Sequence, residues 1–177
     1  MQHLASDLKL CVRVILLWGM AFIGLASATE PVQWPSQTQA SLDATVSRVS
    51  DGDTVWLRTS THTRIRARII GIDAPESCQA GGREAKQALA ERVLNQPVKV
   101  QVFGRDTYGR DLVVIWRDGQ DVGARLVAEG LAWAYVWRGR PSIYESLERS
   151  ARAQRVGIFA SLRPEYPRTF RLRHGPC

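Results

Sequence analysis

Long apolar runs are almost absent from this chain. The one candidate, residues 14–25, is too short to cross a hydrocarbon core of roughly 30 Å comfortably. Cysteine and histidine are scarce, with 3 of each. Cys11, Cys78 and Cys177 form no C-x-x-C pair, and His3, His62 and His174 have no ligand spacing, which argues against zinc. No internal repeat is visible, and no stretch satisfies the acidic spacing of an EF-hand loop. Apolar residues make up 45% and charged residues 23%, a globular balance that excludes disordered and collagen-like classes. Acidic residues are the minority charge: 17 Asp plus Glu against 24 Lys plus Arg, for a net +7. That surplus favours a polyanionic partner, nucleic acid or an anionic membrane, without choosing between them.

At the N-terminus, Lys9 and Arg13 precede the short apolar run, and Ala26-Ser27-Ala28 ends it. This is the pattern of a secretory signal cut after Ala28, with an uncleaved anchor as the rival. Cys11 precedes the run, so its position excludes a lipoprotein cysteine. The expected organisation is a signal peptide over 1–28, a flexible leader over 29–41, a folded domain over 42–162 and a basic tail over 163–177. The expected product is exported, periplasmic or secreted, with no membrane span after cleavage. Outside the cytoplasm, Cys78 and Cys177 read either as a disulfide or as two unpaired thiols.

Five β-prone runs follow the leader: 44–49, 54–57, 64–72, 98–103 and 111–116. Three helical stretches are interleaved. Residues 83–94 gather Ala85, Ala88, Leu89 and Val93 on one side, 122–128 stop before Gly130, and Ser142-Ile143-Tyr144-Glu145 reads as a capping box opening a helix that runs to Gly157. Short strands with inserted helices predict an α+β, mainly β domain: a five-stranded OB-type barrel carrying three α-helices.

Three motifs carry chemistry. Asp51-Gly52-Asp53-Thr54 places two carboxylates two residues apart at a strand start, where they can offer hard oxygens to Ca²⁺ or Mg²⁺, although D-G-D is also a common turn. Arg68 and Asp73 are five apart, so a flat strand would put them on opposite faces, and Gly71 is positioned to bend them to one site. Pro75 stiffens the loop that aims Glu76. Asp106-Thr107-Tyr108-Gly109-Arg110 reads as a hairpin turn with Gly109 at positive φ. Each motif alone is weak. Together they supply what phosphodiester cleavage needs: carboxylates for a metal, a base for water and guanidinium forks for the phosphoryl oxygens.

In this order and spacing, V-S-D-G-D-T-V-x-L, R-x-x-G-I-D-A-P-E and D-x-Y-G-R resemble the staphylococcal nuclease family over roughly residues 43–162. The helix entry at Gly82-Arg83-Glu84-Ala85 and the later Gly130-Leu131-Ala132, Ala134-Tyr135-Val136 and Gly157-Ile158-Phe159 are also similar. The resemblance implies an OB barrel with three helices and Ca²⁺-dependent endonucleolytic hydrolysis of DNA and RNA, giving 3′-phosphate ends. It implies Asp53 and Asp73 as carboxylate ligands of the calcium, with the backbone carbonyl of Ala74 beside them and Asp51 as a helper behind. Glu76 corresponds to the general base, and Arg68 and Arg110 to the two arginines on the scissile phosphate. Tyr135, Trp137 and Tyr108 are the expected substrate contacts; Trp137 departs from the family's Tyr, so stacking survives there without a phenolic hydrogen bond. Thr107 stands where the type member has a phosphate-binding Lys. No stable protein partner is implied, and a monomer is the default. The alternative is a catalytically silent OB module that binds single strands, since fold alone proves no activity.

Overall fold

Alternation between buried and exposed side chains builds the barrel strand by strand. The computed structural model describes residues 40–136, 139–175 and Cys177. Strands β1 (Ala40–Val49), β2 (Thr54–Thr59), β3 (Arg64–Ile69), β5 (Pro97–Arg105) and β6 (Asp111–Arg117) form the wall, with β4 (Ile72–Asp73), β7 (Gln120–Asp121) and β8 (Trp133–Ala134) as short additions. Val55 and Leu57, Ala67 and Ile69, Val98 and Val100, and Val113 and Ile115 point inward at the period of two that a one-sided sheet requires. Each fully buried large aliphatic side chain among them contributes about 1.5–3 kcal/mol.

Antiparallel pairings join β3 to β2, β2 to β1, β1 to β5 and β5 to β6. The barrel closes where β3 meets β6 in parallel, with Ala67 opposite Asp111 and Ile69 opposite Val113. Register shifts at Val46/Arg48 in β1 and Val102/Gly104 in β5 supply the bends that closure needs. The result is a closed five-stranded, mainly β barrel of the expected class.

Four α-helices surround it among the described residues, one more than expected: α1 (Gly82–Val93), α2 (Val122–Ala128), α3 (Glu145–Gln154) and α4 (Pro167–His174). Ala85, Leu89 and Val93 seat α1 against the barrel. Asp121 caps α2 by accepting the Ala124 N–H at 3.0 Å, and its other oxygen accepts from the buried Tyr144 hydroxyl at 2.7 Å.

The structure departs from the sequence expectations at four places. The third strand stops at Ile69; a turn through Ile70 and Gly71, the latter at φ 76°, separates it from β4. The capping box is not formed. Ser142 Oγ donates instead to the Gly71 carbonyl at 2.9 Å and accepts the Tyr144 N–H, so α3 begins at Glu145 without a side-chain cap. The expected basic tail holds α4, which opens with Pro167 at its first turn and is joined to the barrel by a Cys78–Cys177 disulfide. The strand β1 likewise begins at Ala40, inside the expected leader. The expected signal segment and residues 29–39 of the leader lie outside the described residues.

Candidate active site

The β1–β2 turn and the turn after β3 meet at one end of the barrel, and the chain is shaped for that meeting. A Cβ on Gly52 would stand 2.6 Å from the Ala74 Cβ and 2.8 Å from the Ala85 Cβ, so only glycine lets the D-G-D turn lie against the D-A-P-E loop and α1. The turn at Gly71 reverses the chain, and β4 is then held by pairing with β8, with Asp73 opposite Trp133. The consequence is convergence. Arg68 forms ion pairs with Asp53 Oδ1 through Nη1 and with Asp73 Oδ1 through Nη2, the latter at 3.0 Å. Both carboxylates are buried.

Asp53 is further fastened: its Oδ2 accepts the Ala74 N–H at 3.2 Å and its Oδ1 accepts the Thr54 hydroxyl at 3.0 Å. Asp51 Oδ1 in turn accepts the Asp53 N–H at 3.1 Å. These contacts divide the charge unequally. Burial works against an ionised Asp53, but Arg68 and the hydrogen bonds from Asp51, Ala74 and Thr54 outweigh it and hold the carboxyl below its ordinary range. Asp73 moves upward, because burial and then the neighbouring Asp53 charge outweigh Arg68. Burial, reinforced by the Asp53 charge, pushes Asp51 up to about 7.

Glu76 lies at the end of the same loop. Its N–H donates to Gln79 Oε1 at 3.1 Å, and its carbonyl accepts the Gln79 N–H at 2.8 Å. Its carboxylate is held from elsewhere. Arg171 of α4 donates from Nη1 to Glu76 Oε1 at 2.6 Å and from Nη2 to Asp73 Oδ2 at 3.4 Å. Arg171 stays firmly charged, because Glu76 and Asp73 outweigh the effect of its partial burial.

Arg110 approaches from the β5–β6 hairpin. Asp106 organises that turn: its Oδ1 accepts the N–H groups of Tyr108 and Arg110, each at 2.9 Å, and its Oδ2 accepts Arg110 Nε at 2.7 Å. Gly109 takes the expected positive φ, 73°. Arg110 Nη1 then reaches Thr54 Oγ1 at 3.5 Å, the hydroxyl that also bonds Asp53. The exposed Tyr108 ring lies under the guanidinium, 5.4 Å from its carbon to the ring centroid.

Asp51, Asp53, Arg68, Asp73, Ala74, Glu76 and Arg110 are therefore linked in one network. Tyr135 stands beside it, its N–H bonded to the Gly71 carbonyl at 2.8 Å and its side chain partly exposed. Trp137 lies outside the described residues. Cys78 and Cys177 are bonded to each other, with Cα atoms 5.9 Å apart. Sequence reasoning missed Arg171, Gln79 and Asp106. A signal for the first was present: pairing Cys177 with Cys78, two residues beyond Glu76, brings the arginine-rich C-terminus to the D-A-P-E loop.

The donor set suits a hard divalent cation. The groups around Arg68 include two carboxylates and a threonine hydroxyl, oxygen groups of the kind Ca²⁺ and Mg²⁺ prefer, while Ala74 turns its N–H to Asp53. No group of three or more His, Cys, Asp or Glu forms a metal cluster among the described residues. Two protein carboxylates leave most coordination positions to water and substrate, which is what a reactive ion needs and a structural one does not.

Comparison with known proteins finds nucleases among those similar to this chain. Residues 66–161 match the family model described as staphylococcal nuclease homologue. An uncharacterized endonuclease of Haemophilus influenzae is 34% identical over 126 residues, 71% of this chain and 71% of its own. A micrococcal nuclease of Shigella flexneri is 39% identical over 134 residues, 69% of this chain and 76% of its own. A probable staphylococcal-like nuclease of rice is 39% identical over 105 residues, 59% of this chain but 31% of its own.

Proposed function

Because the chain belongs to the staphylococcal nuclease family, we propose that it is a Ca²⁺-dependent endonuclease that hydrolyses DNA and RNA and leaves 3′-phosphate ends. The observation that carries this reading is the single network joining Asp53, Arg68, Asp73, Glu76 and Arg110, which come from three separate stretches of the chain. A module that only binds nucleic acid has no use for a buried carboxylate pair beside a glutamate.

Asp53 and Asp73, with the Ala74 carbonyl, would hold the calcium, and Asp51 supports Asp53 by accepting its N–H. When bound, the ion supplies charge neutralisation at a nonbridging phosphoryl oxygen. Glu76 accepts the proton of the attacking water, a contribution of about 10² to 10⁴ in rate. Arg68, clasped by two carboxylates, and Arg110, clasped by Asp106, present planar forks to the equatorial oxygens. Such pre-fixed donors strengthen as charge develops and need no reorganisation at that moment. Tyr135, Trp137 and Tyr108 provide aromatic surface for the flanking nucleotides. The disulfide and the N-terminal signal pattern support export to a periplasm or beyond.

The test is digestion of heat-denatured DNA by the full chain with Ca²⁺, with EGTA, and by Glu76→Gln. Cleavage that needs Ca²⁺ and falls at least about 100-fold in the mutant is expected. Binding without cleavage in all three would establish the silent OB module instead.

A further inference from the structure

We infer that Arg171 is a positioning residue for Glu76, delivered by a helix that the Cys78–Cys177 disulfide ties to the catalytic loop. The inference rests on the proposed role of Glu76 as base.

One guanidinium spans two carboxylates three residues apart, Glu76 Oε1 at 2.6 Å and Asp73 Oδ2 at 3.4 Å. A glutamate on a loop has three soft torsions, and a base must offer one oxygen in one direction. The Arg171 fork fixes Oε1 and ties it to Asp73, whose position β4–β8 pairing sets. Oε2 is then the oxygen aimed at water.

Arg171 itself is fastened independently at several points. The disulfide joins Cys78, two residues after Glu76, to Cys177, six after Arg171, so both ends of the contact are held by one covalent link. Gln79 bridges the same two segments: its Oε1 accepts the Glu76 N–H and its Nε2 donates to the Glu165 carbonyl at 2.6 Å. Tyr166, just before α4, packs edge-on against Trp133 at 5.7 Å, and Trp133 is the strand partner of Asp73. Without the link, α4 is a helix of 8 residues with Pro167 as its one buried residue, too short to persist by propensity. The tether replaces that missing stability with a high effective concentration of Arg171 at Glu76.

The experiment measures steady-state cleavage of single-stranded DNA with Ca²⁺ by Arg171→Ala, Arg171→Lys, the Cys78→Ser/Cys177→Ser double variant, and the double variant carrying Arg171→Ala. Arg171→Ala is expected to lower kcat by roughly 10–100-fold, the usual cost of losing a group that orients a reacting one, with KM unchanged. Arg171→Lys recovers part of the loss. Removing the disulfide lowers kcat in the wild-type background and adds little on Arg171→Ala, because both changes break the same coupling. In EDTA, trypsin is expected to cut at Arg168 and Arg171 faster in the double cysteine variant than in wild type. Unchanged or raised kcat in Arg171→Ala, additive losses, or equal trypsin rates would overturn the inference. A wild type without Ca²⁺-dependent cleavage would sink the nuclease mechanism and the positioning role with it, while the trypsin pattern would still decide the tether.

Discussion

Arg68 and Arg110 carry the same charge in different settings. Arg68 is spread across two buried aspartates, whereas Arg110 is clasped only by the partly exposed Asp106 of its own turn and reaches the site through Thr54. The fork at Arg110 is therefore the one whose shape can be tested with least damage to the fold. Arg110→Lys keeps the charge but cannot bond Asp106 and a phosphate together, so a loss of about 10²-fold in kcat/KM is expected with little change in urea midpoint. Near wild-type turnover would count against a role on the phosphate. Asp51 offers a pH test of the same network. Its carboxyl is raised to about 7 from an ordinary 3.8 by burial and then by Asp53, so the folded metal-free protein binds that proton more tightly than the unfolded chain. Its contribution is fully present below the unfolded value and is lost as pH rises from 3.8 to 7. In EDTA, Asp51→Asn should thus gain stability relative to wild type between pH 5 and pH 8, read from urea melts. A difference that stays constant with pH would remove the burial argument.

At the scale of elements, the site depends on two turns being allowed to touch. Gly52→Ala places a methyl group into the Ala74 and Ala85 side chains. Neither neighbour is the flexible end of a long chain, so the turn must shift at a cost of about 1–3 kcal/mol. The expected signature is a lowered urea midpoint together with a higher Ca²⁺ concentration for half-maximal activity; a loss of stability alone would mean that the two loops need not touch to hold the ion. The wall strands and α1 were legible in the sequence because their inward residues recur at the periods of strand and helix, as Val55 and Leu57 or Ala85 and Leu89 do. The bend joining Arg68 to Asp73 was legible too, from a glycine interrupting an apolar strand. The rest was not, for reasons of partnership. Ser142 finds its acceptor 71 residues away at Gly71, which outweighs a local capping box. Helix α4 has no apolar stripe in Pro-Arg-Thr-Phe-Arg-Leu-Arg-His, and its fastenings include a disulfide and an ion pair 95 residues distant. Local periodicity carries no trace of such contacts.

For the whole molecule, the charge surplus and the proposed catalytic network are separable. A net +7 attracts any polyanion, and many of the arginines are already paired with carboxylates, as in Arg68 with Asp53 or Arg152 with Glu148. Affinity for a single strand should therefore come from diffuse attraction and a few direct phosphate contacts, while the proposed mechanism makes cleavage depend on Glu76. Binding of single-stranded DNA in EDTA should weaken linearly on a log–log plot against salt, with each direct phosphate contact adding about 0.7 to the slope. Glu76→Gln should leave that slope unchanged while abolishing cleavage in Ca²⁺. Arg110→Ala should reduce the slope by about one contact's worth, because the proposed mechanism gives its guanidinium a phosphate contact. Fluorescence anisotropy over a salt series measures both. An identical slope in Arg110→Ala would place that arginine off the phosphate path, leaving the barrel's net charge to explain binding and Arg68 as the sole arginine on the reacting group.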